Sequence, residues 1–170
     1  MSRPHEAAMP DPLGYLITWA TYGSWLPGDE RGWTKWHGGP QSPNLRRELE
    51  AAAQMNEAAV LLDAEQRRVV ERTIAEHCDL RGWKLHVANC RSNHVHVVLT
   101  ANLHPDQLRS QLKGWSARRL NEHARARGNL AHGGRRSWWG ERGSRRYLNS
   151  EAALEGAILY VRDAQDWPCE

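Results

Sequence analysis

The run Asn93-His94-Val95-His96-Val97-Val98-Leu99-Thr100 decides how this chain folds and where its chemistry sits. It is apolar and β-branched, which favours a strand. Residues two apart in a strand share a face. His94 and His96 therefore project side by side, with Val95 and Val97 on the opposite face. Two imidazoles on one strand face make half of a divalent-metal site. A histidine pair with no ligand role is the plainer alternative, and the flanking chain has to separate the two.

Upstream, Trp83 to Cys90 reads as a second strand with Leu85 and Val87 on one face, and Arg91-Ser92-Asn93 as the turn of a hairpin. From about Asn44 to Leu80 the apolar residues Leu61, Val69, Val70, Ile74 and Leu80 recur at helical spacing. Asp63 and Gln66 have the spacing of a capping box, and Gly82 is a stop. Tyr15 to Ala20 predicts a first strand. Gly23, Pro27, Gly28 and Gly32, with Trp25 and Trp33 among them, predict an ordered loop, and His37 to Pro43 a flexible one. Downstream, His104-Pro105-Asp106 opens a helix whose buried stripe is Leu108, Leu112, Trp115 and Leu120. Arg145 to Leu148 reads as a short strand. Ser150 then caps a last helix with Leu154, Ile158 and Val161 as its apolar stripe.

This order predicts an α+β, ferredoxin-like fold: an antiparallel four-stranded sheet with two helices on one face, plus a C-terminal helix that carries Tyr160. Residues 1–12 read as a flexible tail and residues 13–170 as one domain. The length of 170 residues and the 40% hydrophobic content suit a soluble protein with a real core. No run is long and apolar enough for a membrane span or a signal peptide. Cys78, Cys90 and Cys169 are scattered, as expected of free thiols in a reducing cytoplasm.

Charge is uneven although the net value is only +3. Between Arg109 and Arg146 eleven basic residues face only Glu122 and Glu141. Almost all are arginine, which suits forked contacts with phosphate. Arg118, Arg119, Arg135, Arg136, Arg142, Arg145 and Arg146 are the DNA-binding candidates, and solvent exposure accounts for about half of such a set. Trp138 and Trp139, among these arginines, are candidates to stack on an unpaired base. Trp19, Trp25, Trp33 and Trp36 read as core and loop anchors, and Asp29 with Arg31 as a loop-closing pair. His86, His104 and His132 lack any partner pattern.

With Asn93-His94-Val95-His96 followed far downstream by Tyr160 and Gln165, the chain resembles the HUH single-tyrosine transposases. The stretch Thr18-Trp19-Ala20-Thr21-Tyr22-Gly23-Ser24-Trp25-Leu26-Pro27-Gly28-Asp29-Glu30-Arg31-Gly32-Trp33 is similar to the N-terminal signature of a subgroup, the REP-associated tyrosine transposases. So are Leu112-Lys113-Gly114-Trp115-Ser116-Ala117-Arg118 and Trp138-Trp139.

The resemblance implies a nucleoid-associated cytoplasmic enzyme that cuts and rejoins single-stranded, hairpin-bearing DNA at repetitive palindromic or mobile-element ends. Tyr160 would be the nucleophile, leaving a 5′-phosphotyrosine and a free 3′-hydroxyl. His94 and His96 would hold Mg2+ or Mn2+ with a polar third ligand from the last helix. Position 164 is alanine, so that ligand is Gln165 or Asp163. Five residues rotate about 140° on a regular helix, so Gln165 reaches the tyrosine's face only through a π-bulge or fraying. Relatives include dimers that share the tyrosine helix and forms that act alone, so a homodimer stays open. Two other readings also stay open: a non-catalytic DNA-hairpin binding protein of the same fold, and a metallohydrolase using the histidines with water.

Overall fold

The computed structural model describes residues 11–35, 38–129, 135 and 137–163. The elements run β1 Gly14–Ala20, β2 Trp33–Lys35, β3 Gly39–Gln41, α1 Leu45–Ala53, α2 Ala64–Arg81, β4 Lys84–Cys90, β5 His94–Thr100, α3 Pro105–Ala126, β6 Ser144–Leu148 and α4 Glu151–Asp163. Four strands form an antiparallel sheet in the order β4-β5-β1-β6. This is the α+β, ferredoxin-like arrangement that the order of elements predicts. No helix among the described residues is long and apolar enough to cross a membrane.

Strand alternation divides the sheet into two unlike faces. Tyr15, Ile17 and Trp19 of β1 and Val95, Val97 and Leu99 of β5 join Val70, Ile74, Leu108, Leu112 and Leu120 in the main core. That core lies under α2 and α3. Leu16 and Val98, out of phase with it, pack with Leu148, Ala157 and Val161 under α4. The extra C-terminal helix therefore covers the opposite face, the one to which His94 and His96 belong.

Local signals set the helix ends. The Asp63 side chain accepts from the Gln66 backbone, and the Gln66 side chain accepts from the Asp63 backbone, so the capping box of α2 is complete. Gly82 ends that helix at φ 67, a left-handed conformation that suits glycine. Pro105 occupies the first turn of α3, where a missing N–H costs nothing. Ser150 Oγ accepts from the Ala153 backbone at the start of α4.

The structure departs from the sequence pattern at several places. Leu61 is 72% exposed and Leu80 78% exposed, so neither belongs to a buried helical stripe. Leu61 precedes α2 in a segment with no regular secondary structure, where its neighbours Val60 and Leu62 are the buried ones. Residues 39–41 form a short strand paired with 33–35 instead of a flexible loop. Trp115 is 38% exposed; the inward stripe of α3 repeats every four residues as Leu108, Leu112, Ser116, Leu120 and Ala124. Leu85 and Val87 do not share a face. The register shifts between them, so Leu85 pairs with Leu99 and Val87 with Val98. A bulge inserts one residue and reverses the alternation beyond it. Its effect here is to move Asn89 to the α4 side, where Nδ2 donates to the Val161 carbonyl at 3.1 Å.

Candidate active site

The two histidines sit on β5 beneath α4, half-buried, with ring centroids 4.7 Å apart and planes nearly perpendicular at 88°. Each has an oriented Nδ1. In His94 it lies 2.6 Å from Asn93 Oδ1, an acceptor that fixes the plane of the ring. In His96 it lies 2.9 Å from Thr18 Oγ1, on the neighbouring strand. Thr18 pairs with His96 across the β1–β5 ladder, so register alone brings the hydroxyl there. Burial, then His94 and Arg91, push the His96 pKa down to about 4. His96 is thus neutral near pH 7 and keeps a lone pair for a cation.

Tyr160 approaches from α4. Its ring centroid is 6.0 Å from that of His96, edge to face at 87°. The residue is 48% exposed although Val161 beside it is fully buried. A groove of about 570 Å³ runs up to Tyr160, lined by Leu16, Arg146, Ala152, Ala153, Gly156 and Ala157. The small residues of α4 keep this side of the helix low, while Leu154, Ile158 and Val161 hold it to the sheet. Arg146 reaches the groove because it pairs with Leu16 on β1 and shares its face.

Two oriented imidazoles, one held neutral, fit a divalent cation completed by oxygen donors. Among the described residues no group of three His, Cys, Asp or Glu converges, so Asp163 does not join the histidines. Its carboxylate is taken up by Arg162, with both contacts at 2.8 Å. Gln165 lies outside the described residues.

The arginines grouped in sequence separate in space. Arg146 alone among them lines the tyrosine groove. Arg145, on the other side of β6, meets Asp106 at the start of α3 with two contacts of 2.7 and 2.8 Å. Arg118 and Arg119 lie on α3, across the sheet from Tyr160, and both bind Glu122 at 3.1 Å. Arg135 donates to the Ala58 and Ser137 carbonyls and latches the chain next to Trp138. Arg142 is exposed in the loop before β6, and Arg136 lies outside the described residues.

Trp138 and Trp139 are corrected as stacking platforms. They are 5% and 8% exposed, with indole N–H groups given to Asn121 Oδ1 and the Lys113 carbonyl. Trp139 also meets Trp19 edge to face, so both serve the core. The residues that sequence reasoning passed over are Thr18 and Asn89. Their parts depend on strand register and on the bulge, which no local pattern announces.

A family model described as "Transposase IS200 like" matches residues 53–147. Among solved structures, the chain is similar to a candidate transposase from Deinococcus radiodurans R1, with 18% identity, 95% of each chain covered and a TM-score of 0.50. It is also similar to a REP-associated tyrosine transposase bound to a REP hairpin, with 10% identity, 95% of this chain and 70% of that chain covered, and a TM-score of 0.49. No curated protein matches the chain significantly.

Proposed function

The chain belongs to the IS200-like transposase family, and from that premise we propose that it cuts and rejoins single-stranded DNA through a covalent bond to Tyr160. The observation that carries this reading is the meeting of Tyr160 with the His94–His96 pair within one chain, 6.0 Å between the Tyr160 and His96 ring centroids. A half-exposed phenol at the end of an open groove can reach a phosphodiester, whereas a core tyrosine cannot.

In the proposed step Tyr160 Oη attacks the scissile phosphorus. The Oη–P bond forms as the P–O3′ bond breaks, the phenolic proton is lost, and the leaving oxygen takes up a proton to become a 3′-hydroxyl. The phosphoester bond is kept as a 5′-phosphotyrosine, so a second 3′-hydroxyl can reverse the step without ATP. Thr18 and Asn93 orient the two imidazoles. Arg146 sits where it can hold a phosphate in the groove beside the phenol. Held by His94 and His96, with Gln165 as the third protein ligand, Mg2+ or Mn2+ would supply stabilisation of the charge that develops on the phosphate. The proposed substrate is hairpin-bearing DNA from repetitive palindromic or mobile-element ends. This rests on the likeness of Thr18 to Trp33 to the REP-associated signature.

The test uses end-labelled single-stranded hairpin DNA from the gene's own flanks, incubated with and without Mn2+ and run on a denaturing gel. A slow, protease-sensitive band that needs the cation and vanishes in Tyr160→Phe is the expected result. Salt-sensitive hairpin binding with no such band would identify a non-catalytic binder instead. Cleavage that survives in Tyr160→Phe would favour water as the nucleophile.

A further inference from the structure

The loop between β1 and β2 holds an exposed aromatic side chain that the strand-transfer chemistry does not use. Trp25 is 55% exposed, the most exposed tryptophan among the described residues. It is nevertheless held in place. Its Nε1 donates to the Gly32 carbonyl at 2.8 Å, and the Arg31 guanidinium lies over its ring at 4.9 Å.

Arg31 is itself fixed from several sides. Its backbone N–H, Nε and Nη2 donate to the Asp29 carboxylate at 2.9, 2.7 and 2.6 Å. Nη2 also donates to the Ser24 carbonyl at 2.7 Å. Asp29 is only 6% exposed, and the Arg31 hydrogen bond, before the opposing effect of burial, lowers its pKa.

The loop closes on glycines that tolerate no side chain. A Cβ on Gly28, at φ 99, would collide with the Asn44 carbonyl oxygen and the Glu48 backbone nitrogen. The device recurs where the loop enters β2: Arg47 of α1 lies 4.7 Å over Trp33, whose Nε1 donates to the Ser42 carbonyl at 3.1 Å.

Fold stability does not account for this arrangement. An indole that stays largely in water contributes little hydrophobic stabilisation, yet its orientation is fixed on two sides. Oriented, exposed indoles beside guanidinium groups are the chemistry that binds unpaired bases, because every base offers a π-face. The loop is also tied to the histidine strand. Ser24 Oγ and Thr21 Oγ1 each donate to the Asn93 carbonyl at 3.2 Å, one residue before His94. A base on Trp25 would thus have a set position relative to the histidine pair.

We propose that Trp25, backed by Arg31, is a stacking platform for an unpaired base of the DNA strand that enters the Tyr160 site. The proposal rests on the reading of this chain as a DNA strand transferase. It assigns the Asp29–Arg31 pair to building the platform and the loop to setting the strand's path.

The test measures anisotropy of a fluorescein-labelled single strand of mixed sequence in EDTA, with a series in which one abasic site is moved along it. One abasic position is expected to weaken wild-type binding about tenfold, the scale of one stacked base. The same position should cost Trp25→Ala nothing, and Trp25→Tyr should keep most of the wild-type affinity. Trp25→Ala binding as tightly as wild type, or an abasic penalty independent of the residue at 25, would overturn the platform. A wild-type adduct at Tyr160 without such coupling would end this proposal alone. Coupling without any adduct would end the strand-transfer reading and leave the platform standing.

Discussion

Along β5, Val95, Val97 and Leu99 face α2 and α3 and have no solvent exposure, while His94 and His96, one residue out of phase, face α4 and keep partial access. The two faces share strands and backbone hydrogen bonds but differ in their cover. Helices of 18 and 22 residues lie over the first, and one of 13 residues over the second. The heavily covered face supplies stability and the lightly covered one supplies access, so substitutions on the two should separate folding from chemistry.

The largest expected effect is chemical. Tyr160→Phe should lower adduct formation by about a thousandfold or more, since no other described phenol approaches the histidines. The thermal midpoint should stay at the wild-type value, because the ring is half exposed. A large drop in the midpoint would show that the α4 face carries stability after all.

The matching change across the sheet is Leu99→Ala. It should cost about 3 kcal/mol in urea unfolding, as a fully buried leucine does on truncation. Adduct yield per folded molecule should be preserved. A loss of yield without a loss of stability would mean that the faces are not separable.

Thr18→Val keeps the shape of a β1 residue and removes the hydroxyl 2.9 Å from His96 Nδ1. Mn2+ affinity should fall about tenfold, the lower end of what such orienting partners are worth. Calorimetric titration reads this without DNA, and an unchanged affinity would show that the hydroxyl does not orient the ring.

A pH-dependent effect, with no part in the chemistry, concerns Lys113 on the α3 side. Its ammonium donates to the Gly140 and Arg142 carbonyls at 2.5 and 3.2 Å. Burial, then Arg109, lower its pKa from 10.5 to about 8, against a smaller opposing effect of Glu141. A folded-state value below the unfolded one means that the linked stability is present above pH 10.5 and lost as pH falls through 8. Wild type should therefore gain stability relative to Lys113→Met between pH 8 and 10 in paired urea titrations. A gap that does not change with pH would show that Lys113 is not perturbed by the fold.

What could be read in the sequence was what depends on short range. The capping box of Asp63 and Gln66, the Gly82 stop and the alternation of His94 to Thr100 are each settled within a few residues. The site needed more. Thr18 meets His96 only through the β1–β5 register, and Asn89 reaches α4 only because of the bulge between Leu85 and Val87. The arginines looked like one patch because they are close in sequence. In space β6 sends Arg145 and Arg146 to opposite faces, and the Glu122 pairs occupy Arg118 and Arg119. The tryptophans ran the other way: the pair among arginines is core, and Trp25 in the glycine loop is exposed.

In the proposed reaction the Tyr160 hydroxyl, beside His94 and His96, takes the phosphate. Peptide mapping by mass spectrometry after reaction with hairpin DNA and Mn2+, followed by nuclease trimming, tests it most directly. A residual nucleotide mass is expected on the peptide containing Tyr160 and on no other. A nucleotide on a different residue, or cleaved DNA with every peptide unmodified, would contradict it.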